Sequence, residues 1–482
     1  MLDDTRINQI VQQVMAEVRS GKTPAAKPDR SSNASIGDGG LSDGVFPDVD
    51  SAVAAAKRAF AELNALPLEL RERMVNAMRR AAEDAAQVLA HEAWTETGLG
   101  RYEDKIEKNL LNARKSLGTE DLRTTAWSGD HGLTVVEYAP YGVIGALTPS
   151  TNPTSTVICN SINMVAAGNA VVFGAHPTAQ HCTAHTVQIL NRAIQAVGGP
   201  KNLLTTIATP TIEKAQAIMA HKDVRLLTVT GGSAVVKQAM MSGKRAVCAG
   251  PGNPPVVVDE TADIEQAGRD IVRGGSFDNN IVCTTEKETF VVESVGDALI
   301  KAMCAHGAVQ ISSWQLERLC KAVFEEQRGP GKPGVMNKNF IGKNAAVLLK
   351  AIGIDAGPEV RQIVAVVDRQ HPLIWSEQMM PIMPVCKVRS ADEAIDLAVQ
   401  AEHGFRHTAV MHSKNLDNLS RMAREINCSI FVKNGPCLAG LGQGGEGYCS
   451  FTIASPTGEG ITSPRSFSRI RRCTLVDSFR IV

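Results

Sequence analysis

Large apolar residues recur over the first twenty positions at Ile7, Ile10, Val11, Val14, Met15 and Val18, with acids at the amino end. This i, i+3, i+4, i+7 spacing predicts an amphipathic helix over 1–20. From 21 to 44 Gly, Ser, Pro and Asp dominate, and Ile36 and Leu41 are the only large apolar residues, so the stretch reads as a flexible linker. A short helix on a tether has no core of its own. Its stripe must dock on its own body, on a copy of itself or on an outside partner, and the tether favours the partner. The pattern then changes. Ala-rich helical periodicity covers about 50–64 and 67–97, with Pro67 suited to a first helical turn. Short apolar runs at 142–147, 170–173, 226–230 and 256–258 follow, bounded by Gly, Pro and Asn and separated by helical segments. Continuous apolar strands alternating with helices predict an α/β architecture with parallel sheets buried on both faces. The segments 133–138 and 467–482 fall outside that rhythm and read as exposed strands able to form an oligomerisation arm.

Composition narrows what such a chain can do. Its 482 residues, 44% hydrophobic, suffice for two or three domains. With 50 basic and 50 acidic side chains it has no net positive field for nucleic acid or anionic lipid. No apolar run reaches the roughly 18–20 residues of a membrane helix, and the first 30 residues lack a signal-peptide pattern, so a soluble intracellular protein is expected. Eleven cysteines, none in a CxxC pair, fit reduced thiols and no zinc site.

One of those cysteines lies in a distinctive segment, Ser276-Phe-Asp-Asn-Asn-Ile-Val-Cys283-Thr-Thr-Glu-Lys, just past an Asn-rich turn. Alone, it fits a buried thiol as well as a nucleophile activated at a helix N-terminus. Companion motifs alter the balance: Tyr141-Gly-Val-Ile-Gly-Ala-Leu-Thr-Pro149-Ser-Thr-Asn152-Pro153, Val171-Val-Phe-Gly174-Ala-His-Pro177, Leu227-Thr-Val-Thr230-Gly-Gly-Ser233, Ala249-Gly-Pro-Gly-Asn-Pro-Pro255 and Trp375-Ser-Glu377-Gln-Met-Met-Pro381. In this order, from about residue 45 to the C-terminus, they resemble the aldehyde dehydrogenase superfamily. The resemblance implies a Rossmann-like cofactor domain (45–248, with part of 436–460), an α/β catalytic domain (249–435) and a β oligomerisation arm (120–140 and 461–482).

Hydrolytic members of that superfamily carry a water-activating glutamate where Ala249 stands here, and the 34-residue offset from 249 to Cys283 matches the family's spacing. The base is replaced, which suits transfer of the acyl group to a thiol. Asn279-Asn-Ile-Val-Cys283, Gly252-Asn-Pro-Pro-Val-Val-Val-Asp259 and Gly458-Glu-Gly-Ile-Thr-Ser-Pro-Arg465 resemble the coenzyme-A-acylating branch. The helix and linker are similar to encapsulation peptides that target cargo to bacterial microcompartments. The resemblance therefore implies oxidation of a short aldehyde to its acyl-CoA with NAD and coenzyme A, in the lumen of a cytoplasmic microcompartment. Propionaldehyde is the favoured substrate. The alternatives are an acetaldehyde enzyme of ethanolamine type, a hydrolytic enzyme with another base, or an inactive scaffold recruited to a shell. Residues 1–20 would bind shell protein or other cargo, and the enzyme would be a homo-oligomer, a dimer or tetramer.

Cys283 is the implied nucleophile, with Asn152 and the Cys283 N–H holding the oxyanion. His407, in His403-Gly-Phe-Arg-His407, matches a histidine of bifunctional aldehyde/alcohol dehydrogenases and is a candidate base; a histidine satisfied by backbone is the plainer alternative. Thr230, Gly231 and Ser233 at a strand-to-helix turn, with Pro149 and Gly174, form the implied cofactor set, and Glu377 would grip the nicotinamide ribose. For Asn152 the alternative is a turn former, and for Glu377 a cap or ion-pair carboxylate. Gly174-Ala175 stand where relatives place a ribose-binding lysine and a proline, and no Arg or Lys lies within Gly174-Ala-His-Pro177 to meet a 2′-phosphate, so NAD is favoured over NADP. Gly440-Leu-Gly-Gln-Gly-Gly-Glu-Gly447 is expected to be a loop leading into a strand-like 448–453, not a dinucleotide fingerprint.

Overall fold

A computed structural model describes residues 42–482. The predicted helix over 1–20 and nearly all of the linker lie outside the described residues. The linker's last residues are held in place. Asn191 donates to the Asp43 carbonyl (2.7 Å), and Arg192 pairs with the Asp43 carboxylate at 2.8 Å.

The described chain forms two compact units. One comprises 42–97, 105–250 and 447–482. At its centre a six-stranded, wholly parallel sheet runs in the order Val45–Phe46, Leu204–Ile207, Ala170–Gly174, Val143–Leu147, Val224–Thr230, Arg245–Ala249. The apolar runs read from the sequence become these strands because Val, Ile and Leu pack on both faces; Val143–Leu147 and Ala170–Gly174 are buried throughout. The helix Pro153–Ala166 is buried at every position, which explains its lack of a polar face. The helical pattern over 67–97 divides into Leu68–Asp84 and Ala86–Thr97, interrupted at Ala85 without a Pro or Gly to announce it. A separate antiparallel sheet joins Thr125–Gly129, Gly132–Pro140 and Ser468–Val476, the last two paired over nine residues. These are the exposed strands expected from 133–138 and 467–482.

The other unit comprises 98–104 and 251–446. Its seven-stranded sheet is also parallel, in the order Ala308–Gln310, Gln362–Val367, Ile382–Val388, Glu288–Val292, Pro255–Val258, Thr408–His412, Ile430–Lys433. Gly440 and Leu441 end the 3-10 helix Cys437–Leu441 and 442–447 is a loop, as expected, but it does not lead into a strand over 448–453: only Ile453–Ala454 is extended and paired, and Tyr448 and Thr452 are tied by side-chain hydrogen bonds instead. Among the described residues no helix is long and apolar enough to cross a membrane.

Candidate active site

In the seven-stranded unit, four neighbouring strands set out the candidate residues. Glu377 precedes Ile382–Val388, Cys283 precedes Glu288–Val292, Gly252 and Asn253 precede Pro255–Val258, and His407 precedes Thr408–His412. Parallel pairing puts all of them at the amino edge of one sheet. From Gly274 to Val292 every residue is buried except Cys283, which is partly exposed. The local fold therefore raises one thiol to the surface from an otherwise closed segment.

Burial removes most of the other cysteines from nucleophilic duty, because a thiolate is costly away from water. It pushes the thiols of Cys159, Cys248 and Cys386 up to about 11, and those of Cys320 and Cys428 up to about 12. Cys182, Cys437 and Cys449 move in the same direction. Cys304 lies on the helix Glu293–Ala305 and Cys473 on an outer strand. Among the described residues no cysteine forms a disulfide.

Gly252 lies between the nucleophile's backbone and the histidine. A Cβ there would fall 2.8 Å from the Cys283 carbonyl oxygen and 3.0 Å from His407 Cγ, so only glycine fits. Its N–H donates to Glu377 Oε1 at 3.2 Å, and burial raises the Glu377 carboxyl, opposed by Lys287 and by that N–H. Asn253 Nδ2 ties the loop down by donating to the Ile374 and Ala401 carbonyls, both at 2.9 Å.

His407 is fully buried, and desolvation, reinforced by Lys287, lowers its imidazole to about 3. Its Nδ1 lies 2.9 Å from Thr408 Oγ1, while Nε2 meets no described protein group. In the tautomer that donates from Nδ1, Nε2 offers a lone pair and can accept a proton. The buried carboxyl groups nearby each have one oxygen engaged: Glu286 Oε1 accepts from the Cys437 N–H (2.8 Å) and Glu288 Oε1 from Asn253 Nδ2 (3.3 Å), while their Oε2 atoms meet no described protein group. Burial raises both carboxyls, Glu286 to about 7.

In the six-stranded unit, Asn152 stands at the N-cap position of the helix Pro153–Ala166 without a side-chain capping bond and is 5% exposed. Its Oδ1 accepts from the buried Lys108 ammonium at 2.7 Å, and one Nδ2 proton goes to Thr151 Oγ1 at 3.1 Å. Charge-assisted bonding at the oxygen fixes which way the amide protons point, and leaves one for a ligand.

The sheet order reverses beside Val143–Leu147: the chain continues to Ala170–Gly174 on one side and returns to Val224–Thr230 on the other. Crevices for dinucleotides form at the carboxyl ends of strands at such a switch. Pro149 follows one strand, and Thr230 ends the other, its Oγ1 3.2 Å from Thr452 Oγ1. The Gly231 N–H is taken by the Ala249 carbonyl (3.1 Å), so the available amides begin at Gly232, the N-cap of the helix Ser233–Met240. Gly174 is a packing position, where a Cβ would meet Leu147 Cδ2 at 2.4 Å.

A surface cleft of about 680 Å³ opens beside this turn, lined by Met219, Ala220, Ala234 and Met241 with Lys237 and Gln238. Sequence reasoning missed these residues. Met219, on the helix Ile212–Ala220, is 4% exposed, while Met241, just past the helix Ser233–Met240, is 74% exposed, a contrast that the sequence does not show. Sequence reasoning also missed Gly252, Asn253 and Lys287.

The aldehyde dehydrogenase family model matches residues 34–313. The acetylating acetaldehyde dehydrogenase of Salmonella typhimurium is 46% identical over 99% of each chain. The structure of Rhodopseudomonas palustris propionaldehyde dehydrogenase with bound CoA and an acylated cysteine is 48% identical, with a TM-score of 0.88 over 90% of this chain and 99% of that one. A propionaldehyde dehydrogenase from the Clostridium phytofermentans fucose utilisation bacterial microcompartment is 44% identical, with a TM-score of 0.89 over 92% and 100%. With a parallel-sheet switch point in one unit and a surface cysteine raised from a buried segment in the other, the chain belongs to the aldehyde dehydrogenase family.

Proposed function

We propose that this chain oxidises a two- or three-carbon aldehyde, propionaldehyde in the first instance, to its CoA thioester through an acyl group held on Cys283. The observation that carries the reading is the exposure of Cys283 alone in the buried stretch from Gly274 to Val292. The relatives that act on acetaldehyde and propionaldehyde, one with CoA bound, support the substrate class.

The Cys283 thiolate attacks the aldehyde carbonyl, and the oxyanion is held by the Asn152 amide and the Cys283 N–H. His407, neutral at physiological pH, is assigned the role of accepting a hydrogen bond from the Cys283 or the CoA thiol through Nε2; with its imidazole held near 3 it orients that proton and does not carry it away. NAD supplies the two-electron acceptor that turns the thiohemiacetal into a thioester. Met219, Ala234 and Met241 would hold its adenine and the open amides at the start of the helix Ser233–Met240 its diphosphate, and Glu377 is the residue assigned to its ribose. The thiol of CoA, the second substrate, then attacks the thioester. Hydrolysis is disfavoured because alanine stands at 249, where hydrolytic relatives place the water-activating glutamate.

Residues 1–20 are assigned to docking on shell or cargo protein, on the strength of their apolar stripe and the microcompartment relative. The three-stranded sheet, whose Ile470 and Val476 are 72% and 64% exposed, is assigned to self-association. NADH production with propionaldehyde, with and without CoA, tests the reaction. The reading requires turnover to depend on CoA; sustained turnover without a thiol sinks it, and a wholly inactive chain would favour a scaffold.

A further inference from the structure

The turn that presents Cys283 is built against the preferences of its backbone. Asp278, Asn279 and Asn280 take φ of 47°, 55° and 67°, three successive non-glycine residues in the left-handed region. Such strain persists only where surrounding bonds over-determine it. Asp278 is gripped at its N–H by Asp104 (2.8 Å) and at its carboxylate by the Arg101 N–H (2.7 Å). Asn279 donates to the Gly342 carbonyl at 2.9 Å, and Asn280 to the Gly275 and Glu286 carbonyls at 2.7 and 2.8 Å.

The remaining anchor is Lys287, a lysine with no exposed surface to speak of. Its Nζ donates to the Asn280 carbonyl (2.8 Å), Asn280 Oδ1 (2.6 Å) and Thr285 Oγ1 (2.8 Å), with the Val282 carbonyl at 3.3 Å. Carbonyls only accept, and the Thr285 hydroxyl gives its own proton to Val282 O at 2.5 Å. Acceptors on every side suit an ammonium, whose three N–H protons each find a short partner, better than a neutral amine with two. The turn from Asn280 to Thr285 is therefore wrapped around a positive charge.

Burial opposes that charge and lowers the Lys287 pKa, while Glu377, Cys283, Cys437 and Glu288 favour it; the charge in turn acts on Glu286 and His407. Burial disfavours the anion at Glu286, Glu288, Glu377 and Cys437, and keeps His407 neutral. Cys283, the residue of the segment that reaches solvent, is the anion this ammonium is placed to favour.

We propose that Lys287 is the positioning residue of the nucleophile, its ammonium folding the 280–285 turn and holding Cys283 as thiolate. This rests on the reading of Cys283 as nucleophile. The test is the rate of iodoacetamide alkylation at the Cys283 peptide of the full-length protein between pH 6 and 10, for the parent and Lys287→Met. The variant's midpoint should rise by about one unit or more, with kcat down about tenfold and aldehyde KM little changed. A folded variant with the parent's midpoint overturns the proposal. Should Lys287→Met fail to fold, the parent decides: a midpoint at or above the roughly 8.5 of an ordinary thiol overturns it, and one clearly below supports it. NADH production with and without CoA on the same parent sample judges the functional reading separately, since alkylation needs no turnover.

Discussion

Gly252→Ala isolates the geometry around the nucleophile with one carbon atom. Its Cβ would fall 2.8 Å from the Cys283 carbonyl oxygen and 3.0 Å from His407 Cγ. Neither is the loose end of a flexible chain, since one is backbone and the other a fully buried ring. Ordinary contact requires about half an ångström of movement from one or both. A displacement of about 1 Å in a reacting group costs on the order of 100-fold in rate, so half of it costs roughly tenfold. That corresponds to about 1.4 kcal/mol of transition-state stabilisation, and overpacking adds about 1–3 kcal/mol of lost stability. Steady-state NADH production with propionaldehyde and CoA gives kcat/KM, and thermal melting gives the stability term. A variant within twofold of the parent in kcat/KM refutes the placement of Cys283 and His407 about Gly252.

Other outcomes follow from buried groups and from the cleft. His407 and His412 stay neutral down to about 3 and 4 while unfolded histidine titrates at 6.5, so the unfolded chain binds more protons in that window and stability falls as pH drops. Each contributes a loss of about 2 kcal/mol between pH 7 and 5. Urea unfolding of His412→Asn should show a shallower fall, and parallel slopes would contradict this. Glu286 has the opposite sign: its carboxyl, raised to about 7 from 4.5, contributes stability that disappears as pH rises through 7. Glu286→Gln should gain about 3 kcal/mol relative to the parent on going from pH 4 to 8, and an unchanged difference would exclude the shift. Ala234→Trp fills the cleft and should raise KM for NAD roughly tenfold while leaving Cys283 alkylation unchanged; an unaltered KM moves the adenine elsewhere.

The strands were legible because parallel sheets covered on both faces demand continuous apolar runs, and 142–147, 170–173, 226–230 and 256–258 each became one within two residues at either end. The Asn-rich turn was legible as a turn. Its clamp was not: a lysine in Thr-Thr-Glu-Lys reads as solvated surface, and only the fold reveals that Lys287 is sealed beneath Cys283. The break at Ala85 was invisible because no residue there forbids helix. His407 was identified from resemblance, but its burial and neutrality depend on strands far apart in sequence. The commitment of the Gly231 N–H to Ala249 likewise follows from strand pairing, not from the Gly-Gly motif.

The central claim is a thioester on Cys283 that waits for a thiol. Incubating the full-length protein with NAD and propionaldehyde in the absence of CoA, followed by acid quench and peptide mass spectrometry, reads it directly. The expected result is one propionyl group on the Cys283 peptide, formed with a single burst of NADH and removed on adding CoA with release of propionyl-CoA. Burst NADH with the acyl group on another residue, or steady release of propionate with no acyl-protein, would contradict it.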